Sequence, residues 1–318
     1  MGGNVLVTAL GTAASTTVVQ ELKKYKPDLW IIGADIFQEY QVASTKDVDE
    51  FYTFPSAIEN RESYIEFLIA FCEEHNVKYL FATIDEEVYD ISLNRQRFEE
   101  LGVCVCLPNN KTVELCHLKN KFNKWIVDNM PDIWIKTYGD LSDIKTYPIF
   151  IKPIEGRGSN GCISIENSKE LNDFVSKHDM QNYIVQEKCE GKIVAVDISR
   201  DKKSNRINIC QRIETIRNSS GAGVAVEIVS DPVLSGICRQ LADKLELIGV
   251  VNAEFFCEES LYKIIEINPR FPAGTAFSCM AGVNIVRDAF DIANGIPIKN
   301  QEASQGAKFA KRYEVYEM

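Results

Sequence analysis

The apolar positions of the chain change period along its length, and the change divides it. Asn4–Leu10 (NVLVTAL) is an unbroken apolar run, followed by the small-residue turn Gly11–Ser15 and a helical pattern over Thr16–Tyr25. Leu29–Gly33 is a second apolar run, ending at Ala34–Asp35. Ser63–Glu74 shows helical spacing through Tyr64, Phe67, Leu68 and Phe71, and it leads into a buried-type strand at Tyr79–Thr83. Short apolar runs of this kind read as fully covered strands, and a 3.6-residue apolar period as a helix. Strands that alternate with helices predict right-handed crossovers and a parallel sheet, here ending near Pro108.

From about Asn120 the texture changes. A helix is predicted over Lys119–Asn129, stopping before Pro131. Short strands then dominate: Tyr147–Pro153, Tyr183–Lys188, Ile193–Ser199, Asn208–Ile216, Gly223–Val229, Gly249–Cys257 and Leu261–Asn268. Polar Arg200–Arg206 reads as a hairpin turn, and helices are predicted at Pro232–Leu245 and Val283–Asn294. The second half is therefore expected to be α+β with a largely antiparallel sheet.

Composition narrows the classes. At ~150 residues per domain the chain is expected to hold about two domains. With 35 basic and 46 acidic residues the net charge is −11, which argues against a nucleic-acid or anionic-membrane surface while leaving room for a local basic cleft. The 10 cysteines include no CxxC pair, and the three histidines His75, His117 and His178 form no metal-spaced set with them. Free thiols in a reducing compartment fit best. The start lacks the basic residues of a secretory signal, and no apolar run approaches the ~18 residues of a membrane helix, so a cytoplasmic protein is expected.

Four stretches could carry chemistry. The turn Gly11–Ser15 lacks the GxGxxG spacing, and a tight strand-to-helix turn explains its glycine as well as a nucleotide does. Phe150–Gly161 (FIKPIEGRGSNG) delivers Lys152 from a strand into a loop with Gly156, Gly158 and Gly161. Such a loop can bring backbone N–H groups to a phosphate, or it can be a surface hairpin beside an incidental lysine. The third stretch is the hairpin Gly249–Asn268. If it is centred on Ser260, Glu254 lies opposite Glu266 and Asn252 opposite Asn268. Facing carboxylates destabilise a sheet unless a cation lies between them, and Mg²⁺ takes carboxylates, an amide oxygen and phosphates. The plainer alternative is a hydrated acidic patch. Arg270 follows at EINPR, stiffened by Pro269, where it either reaches a phosphoryl group or caps the strand end. The fourth, Val185–Gly191 (VQEKCEG), puts polar residues where a strand stops.

In this order the elements resemble the ATP-grasp superfamily, most of all the carbamoyl-phosphate-synthase large-chain type of carboxylate–amine ligase. The resemblance implies an α/β N-terminal domain with a parallel sheet, of the kind that precedes ATP-grasp domains (residues 1–112). An α+β ATP-grasp domain of two lobes with antiparallel sheets follows: a small lobe with the glycine-rich lid (113–187) and a large lobe with the metal site (188–318). It implies ATP as substrate and Mg²⁺, two ions with Mn²⁺ as a substitute. It implies ATP contacts from Lys121, Lys152, Gly158, Ser159, Gly161, Gln186, Glu187, Lys188, Cys189, Glu190 and Arg212. Glu254, Glu266 and Asn268 match the metal ligands, with Arg270 and Lys152 catalytic. One departure stands out: where the family carries a ribose-holding glutamate, this chain has Ile193.

The resemblance implies an ATP-dependent carboxylate–amine ligase that works through an acyl phosphate and releases ADP and phosphate. Small-molecule carboxylate and amine substrates are expected as partners, a homodimer as assembly, and neither nucleic acid nor membrane. Two alternatives stay open: phosphorylation of a small carboxy or carbamate species as in carbamoyl-phosphate synthases, and a non-catalytic ATP-binding sensor or partner subunit. A nicotinamide oxidoreductase using the first domain is the weakest reading.

Overall fold

The computed structural model describes residues 3–156, 158 and 160–318. The first five strands are β1 (Asn4–Val7), β2 (Ile31–Asp35), β3 (Glu50–Thr53), β4 (Val77–Phe81) and β5 (Cys104–Val105), all parallel, in the order β3-β2-β1-β4-β5. Helices α1 (Ala13–Tyr25), α2 (Arg61–Glu74), α3 (Asp85–Leu93) and α4 (Arg95–Glu100) provide its helical cover. The order reverses between β1 and β4. Ligands of such sheets gather at that point, beyond the carboxyl ends of the strands. The first apolar run continues past Val7, but the strand does not, because Ala9 turns back with φ +50°. Helix α1 begins earlier than its apolar period, capped by Thr12, whose side chain accepts from the Ser15 N–H.

Helices α5 (Asn110–His117) and α6 (Lys119–Asn129) lead into a four-stranded antiparallel sheet. It is built from β6 (Thr137–Tyr138), β7 (Ile149–Pro153), β8 (Ile163–Ile165) and β9 (Tyr183–Glu187), in the order β6-β9-β7-β8, with α7 (Ser168–Val175) beside it. The larger sheet holds β10 (Lys192–Asp201), β11 (Arg206–Arg217) and β12 (Gly223–Val229). After α8 (Pro232–Lys244) come β13 (Gly249–Glu258) and β14 (Leu261–Asn268), then α9 (Thr275–Met280), α10 (Ile285–Ala293) and β15 (Lys308–Ala310). Its order is β14-β13-β10-β11-β12-β15.

The two faces of the large sheet differ in kind. Val194, Val196, Ile198, Val251, Ala253 and Phe255 alternate onto one face and pack against Leu234, Cys238 and Leu241 of α8 and Phe122 and Ile126 of α6. The intervening positions, among them Asn252, Glu254, Asp197 and Arg212, occupy the other face. Toward the N-terminal domain the same sheet meets α9, α10 and α1 in a shared core of Val18, Leu22, Phe81, Phe271, Val283 and Phe290. Among the described residues no helix is long and apolar enough to cross a membrane. All ten cysteines are free.

One buried acid lies at the carboxyl end of the parallel sheet. Glu87 of α3 accepts from the Tyr64 hydroxyl at 2.7 Å and from the Thr8 hydroxyl. Burial outweighs both donors and pushes its carboxyl up to about 7. The folded value lies above the unfolded 4.5, so the folded chain binds the proton more tightly. The stability this gives is full in acid and is lost as pH rises through the folded value. Between pH 5 and 8 the parent should lose on the order of 2–3 kcal/mol relative to Glu87→Gln, read by denaturant unfolding. Parallel pH profiles of the two proteins would refute it.

Candidate active site

The hairpin β13–β14 positions the two carboxylates. Its turn is two residues, Glu259 and Ser260, both at positive φ (48° and 67°) as a two-residue turn with mirror-image twist requires. The tip is therefore centred between them, not on Ser260, and Phe255 pairs with Ile264. A bulge at Ile265 adds one residue to β14 and shifts the register, so Glu254 faces Glu266 and Asn252 faces Asn268, as the sequence predicts. The bulge also has a local use. The carbonyl of Ile265 accepts from the Lys152 ammonium at 3.2 Å, across from the small lobe.

The face around the pair is polar and tightly connected. Glu254 is held well above the usual carboxylate range by burial first and by the Glu266 charge second, with Arg217 pulling the other way. Asn252 is buried and donates to Asp197 at 2.8 Å. Asn268 turns its amide NH₂ toward Glu266 (3.4 Å), and its oxygen accepts from Arg270 (3.3 Å). Arg270 grips Asp85 of the N-terminal domain through two bonds of 2.7 Å. Asp85 opens α3 directly after β4, so the carboxyl edge of the parallel sheet meets the hairpin at this point.

Two predicted nucleotide contacts lie elsewhere than expected. Lys121 is exposed on the outer side of α6. Lys119, two residues earlier, is half-buried, donates to the Gly156 carbonyl at 2.6 Å, and lies close enough to Lys152 to disfavour its charge. Two residues turn a helix through about 200°, so the pair cannot share a face. Arg212 shares the polar face of the large sheet with Glu254 and is fully buried there. Its guanidinium is buried, bonded to Asp197 at 2.8 Å, and closed in by Gly274, where a Cβ would come within 2.7 Å of it. Asp197 and the absence of a side chain at Gly274 hold it in that buried place.

The remaining predicted contacts divide by depth. Lys152 is buried, and burial pushes its ammonium down while Glu266 pulls it back. Gly158 and Gly161 lie in the loop after β7, and Ser159 lies outside the described residues. Gln186 is buried in β9 and donates to the Thr137 hydroxyl at 3.1 Å. Glu187, Lys188, Cys189 and Glu190 form the passage from β9 to β10 that joins the lobes. Of these, Lys188 leans to Glu166 at 3.6 Å, and burial pushes the Cys189 thiol up to about 11. Ile193 pairs with Phe256 on the polar face, which leaves an apolar patch where the family resemblance puts a glutamate. A crevice of about 10 Å³, lined by Lys119, Lys152, Gln186 and Ile265, separates the two lobes.

Among the described residues no three His, Cys, Asp or Glu side chains come together as a metal cage. The donor set is instead two opposed carboxylates and one amide. Such a set suits a hard cation that keeps places for phosphate oxygens, as Mg²⁺ does, and it suits zinc poorly. Ligation by Asn268 would need its amide turned over. The β1–α1 turn holds no comparable site, since the Asp35 carboxylate accepts the Gly11 N–H at 2.8 Å and sets a negative charge where a nucleotide's phosphates would lie.

A family model described as ATP-grasp in the biosynthetic pathway with Ter operon matches residues 179–315, and one described as the PylC-like N-terminal domain matches residues 5–106. The 3-methyl-D-ornithine–L-lysine ligase of Methanosarcina mazei is 25% identical over 150 residues, 46% of this chain and 39% of the ligase. A carbamoyl phosphate synthase large chain of Thermoanaerobacter is 24% identical over 258 residues, 74% of this chain but 22% of that protein. The matches thus span well under half the length of these relatives. Among solved structures, N5-carboxyaminoimidazole synthetase from Staphylococcus aureus superposes with a TM-score of 0.74 at 15% identity, covering 97% of this chain and 82% of that one. The biotin carboxylase domain of Hydrogenobacter thermophilus 2-oxoglutarate carboxylase, in complex with MgADP, ADP and bicarbonate, gives 0.75 at 17% identity, covering 96% and 72%. The chain is thus similar to ATP-grasp proteins over its second half and to a PylC-like N-terminal domain over its first, and it shares the fold of solved ATP-grasp enzymes.

Proposed function

We propose that the chain is an ATP-dependent carboxylate–amine ligase working through an acyl phosphate. The observation that carries this reading is the opposed pair Glu254–Glu266, with Lys152 reaching across from the other lobe to the bulge beside it. A substrate carboxylate attacks the γ-phosphate, and an amine then captures the acyl phosphate to give an amide, ADP and phosphate. Mg²⁺, held by Glu254, Glu266 and Asn268, would supply charge neutralisation on the phosphates.

The chain's own residues supply position and field. Lys152 is fixed by the Ile265 carbonyl and largely stripped of water, so its charge acts strongly on a nearby phosphate oxygen. Lys119 stands beside it at the base of the glycine-rich loop. Arg270, aligned by Asp85, presents a fixed guanidinium next to Asn268. A glycine-rich loop closed over this group would exclude water, which would otherwise hydrolyse an acyl phosphate. Little proton chemistry is asked of the protein in the first step, and positioning and electrostatics carry it. The carboxylate and amine would enter between the N-terminal domain and the segment 270–281, near Asp85.

Screening MgATP against pools of carboxylates and amines should give ADP and an amide detectable by mass spectrometry. Glu266→Gln should lower that turnover by about 10²-fold or more. If no mixture yields ADP, and Glu266→Gln binds ATP as the parent does, the ligase reading fails; ADP without any amide would favour phosphorylation of a carboxy or carbamate species.

The lysine assignment has its own check. Calorimetry with a non-hydrolysable ATP analogue should show Lys119→Met weakening binding by about tenfold or more, the loss of one charge-assisted contact. Lys121→Met should change it less than about twofold. The reverse ranking would restore Lys121 to the site.

A further inference from the structure

Arg217 is the charged side chain nearest the carboxylate pair that the sequence patterns do not single out. It ends β11, and its guanidinium bridges two acids: Nε lies 2.8 Å from Glu214 and Nη2 donates to Glu254 at 2.9 Å. A regular strand would not allow this, because residues 214 and 217 are three apart and would point to opposite faces. The extra residue Thr215 breaks the alternation of β11, and a second shift at Val224 in β12 restores the pairing register. Ile216 turns outward, 59% exposed, and Arg217 swings back onto the face that carries Glu214 and Glu254. Bulges that re-aim one side chain are over-represented next to active sites.

The surroundings say what the guanidinium can reach. Glu214 is nearly fully buried, at 4% side-chain exposure, and pairs with the guanidinium by charge without a hydrogen bond at Nε, while Arg217 keeps a quarter of its side chain open. The hairpin beyond it, held by the Asn218 side chain, which accepts from the N–H groups of Ser220 and Ala222, lies against the glycine-rich loop. A Cβ on Gly158 would stand 3.4 Å from the Ser220 carbonyl. Arg217 therefore stands between a carboxylate that suits a divalent cation and the loop that suits phosphates. A cation on Glu254 would compete with the guanidinium for the charge of this carboxylate.

We propose that Arg217 is a phosphate-contacting residue of this site, held on Glu254 until a divalent cation takes that carboxylate and turns its guanidinium to the nucleotide's phosphates. The inference rests on the proposed nucleotide site and adds to it an order of assembly. Glu214 keeps the side chain tethered through the exchange, and the planar fork of arginine matches phosphate oxygens in a way lysine does not.

Mn²⁺ titrations of the full chain, followed by electron paramagnetic resonance, test the exchange without any substrate. Without nucleotide, Arg217→Gln should bind Mn²⁺ about fivefold tighter than the parent, because no guanidinium competes. In a Glu254→Gln background the same substitution should change nothing, whereas a general field effect would persist there. With Mn²⁺ present, Arg217→Gln and Arg217→Lys should both weaken a non-hydrolysable ATP analogue, the glutamine by about tenfold; without metal neither should shift it by more than about twofold. Unchanged or weaker Mn²⁺ binding by Arg217→Gln, or equal loss of nucleotide with and without metal, overturns the proposal alone. Parent-like Mn²⁺ binding by Glu254→Gln overturns the carboxylate pair as a cation site, and the proposal with it.

Discussion

Two carboxylates face each other on adjacent antiparallel strands, and the rest of the site depends on that repulsion. A directly opposed pair brings its Cβ atoms within ~5.5 Å, and Glu254 is largely shielded from the water that would screen it. The arrangement is stable only with positive charge close by. The structure brings that charge from different parts of the fold. Arg217 comes from the end of β11 and Lys152 from the small lobe, while Arg270 comes from beyond β14 and is itself held by the N-terminal domain. The Arg217 contact lies within the large sheet, whereas the Lys152 contact joins the two lobes and the Arg270 contact joins the hairpin to the N-terminal domain.

Irregularity in the backbone is what makes this convergence geometrically feasible. The bulge at Ile265 sets the register that opposes the two acids and turns out the carbonyl that fixes Lys152. The bulge at Thr215 returns Arg217 to the same face. Ideal strands would have put Arg217 on the far side and left the Glu254–Glu266 pairing one residue out of step. The sheet departs from regular pairing where side chains must converge, and it is regular along β10, whose pairing with β13 runs without a break from Lys192 to Arg200.

What the sequence made legible follows from range. Local alternation identified both strands of the acidic hairpin, and EINPR with Glu254 marked the carboxylate pair, because pairing across a short turn is nearly a local property. The assumed centre at Ser260 was wrong at the tip and right at the acids only because the bulge compensates. Lys119, and not Lys121, faces Gly156 because helical phase, and not spacing along the chain, decides it. Arg212 is buried within the polar face because of Asp197 across the strand and Gly274 far along the chain, and neither is visible in a local window. Strands β5, β6, β8 and β15, two or three residues each, are too short for any period to show. Arg217 could not be placed by pattern at all, since its orientation is a product of the bulge at Thr215.

The same charge logic explains why two α/β-type nucleotide turns are not both available. At the β1–α1 turn Asp35 takes the Gly11 N–H and keeps a phosphate away, and the hydroxyls of Thr12, Ser15 and Thr83 bond among themselves. The N-terminal domain is left to contribute through its other loop, where Asp85 aligns Arg270. Acid therefore serves opposite ends in the two halves. In the first it closes a turn against anions and steadies an arginine from outside; in the second it creates the demand for cations. A net charge of −11 is compatible with a phosphate site for that reason: the acids that matter are placed to hold positive charge in position, and that held charge is what an anionic substrate would meet.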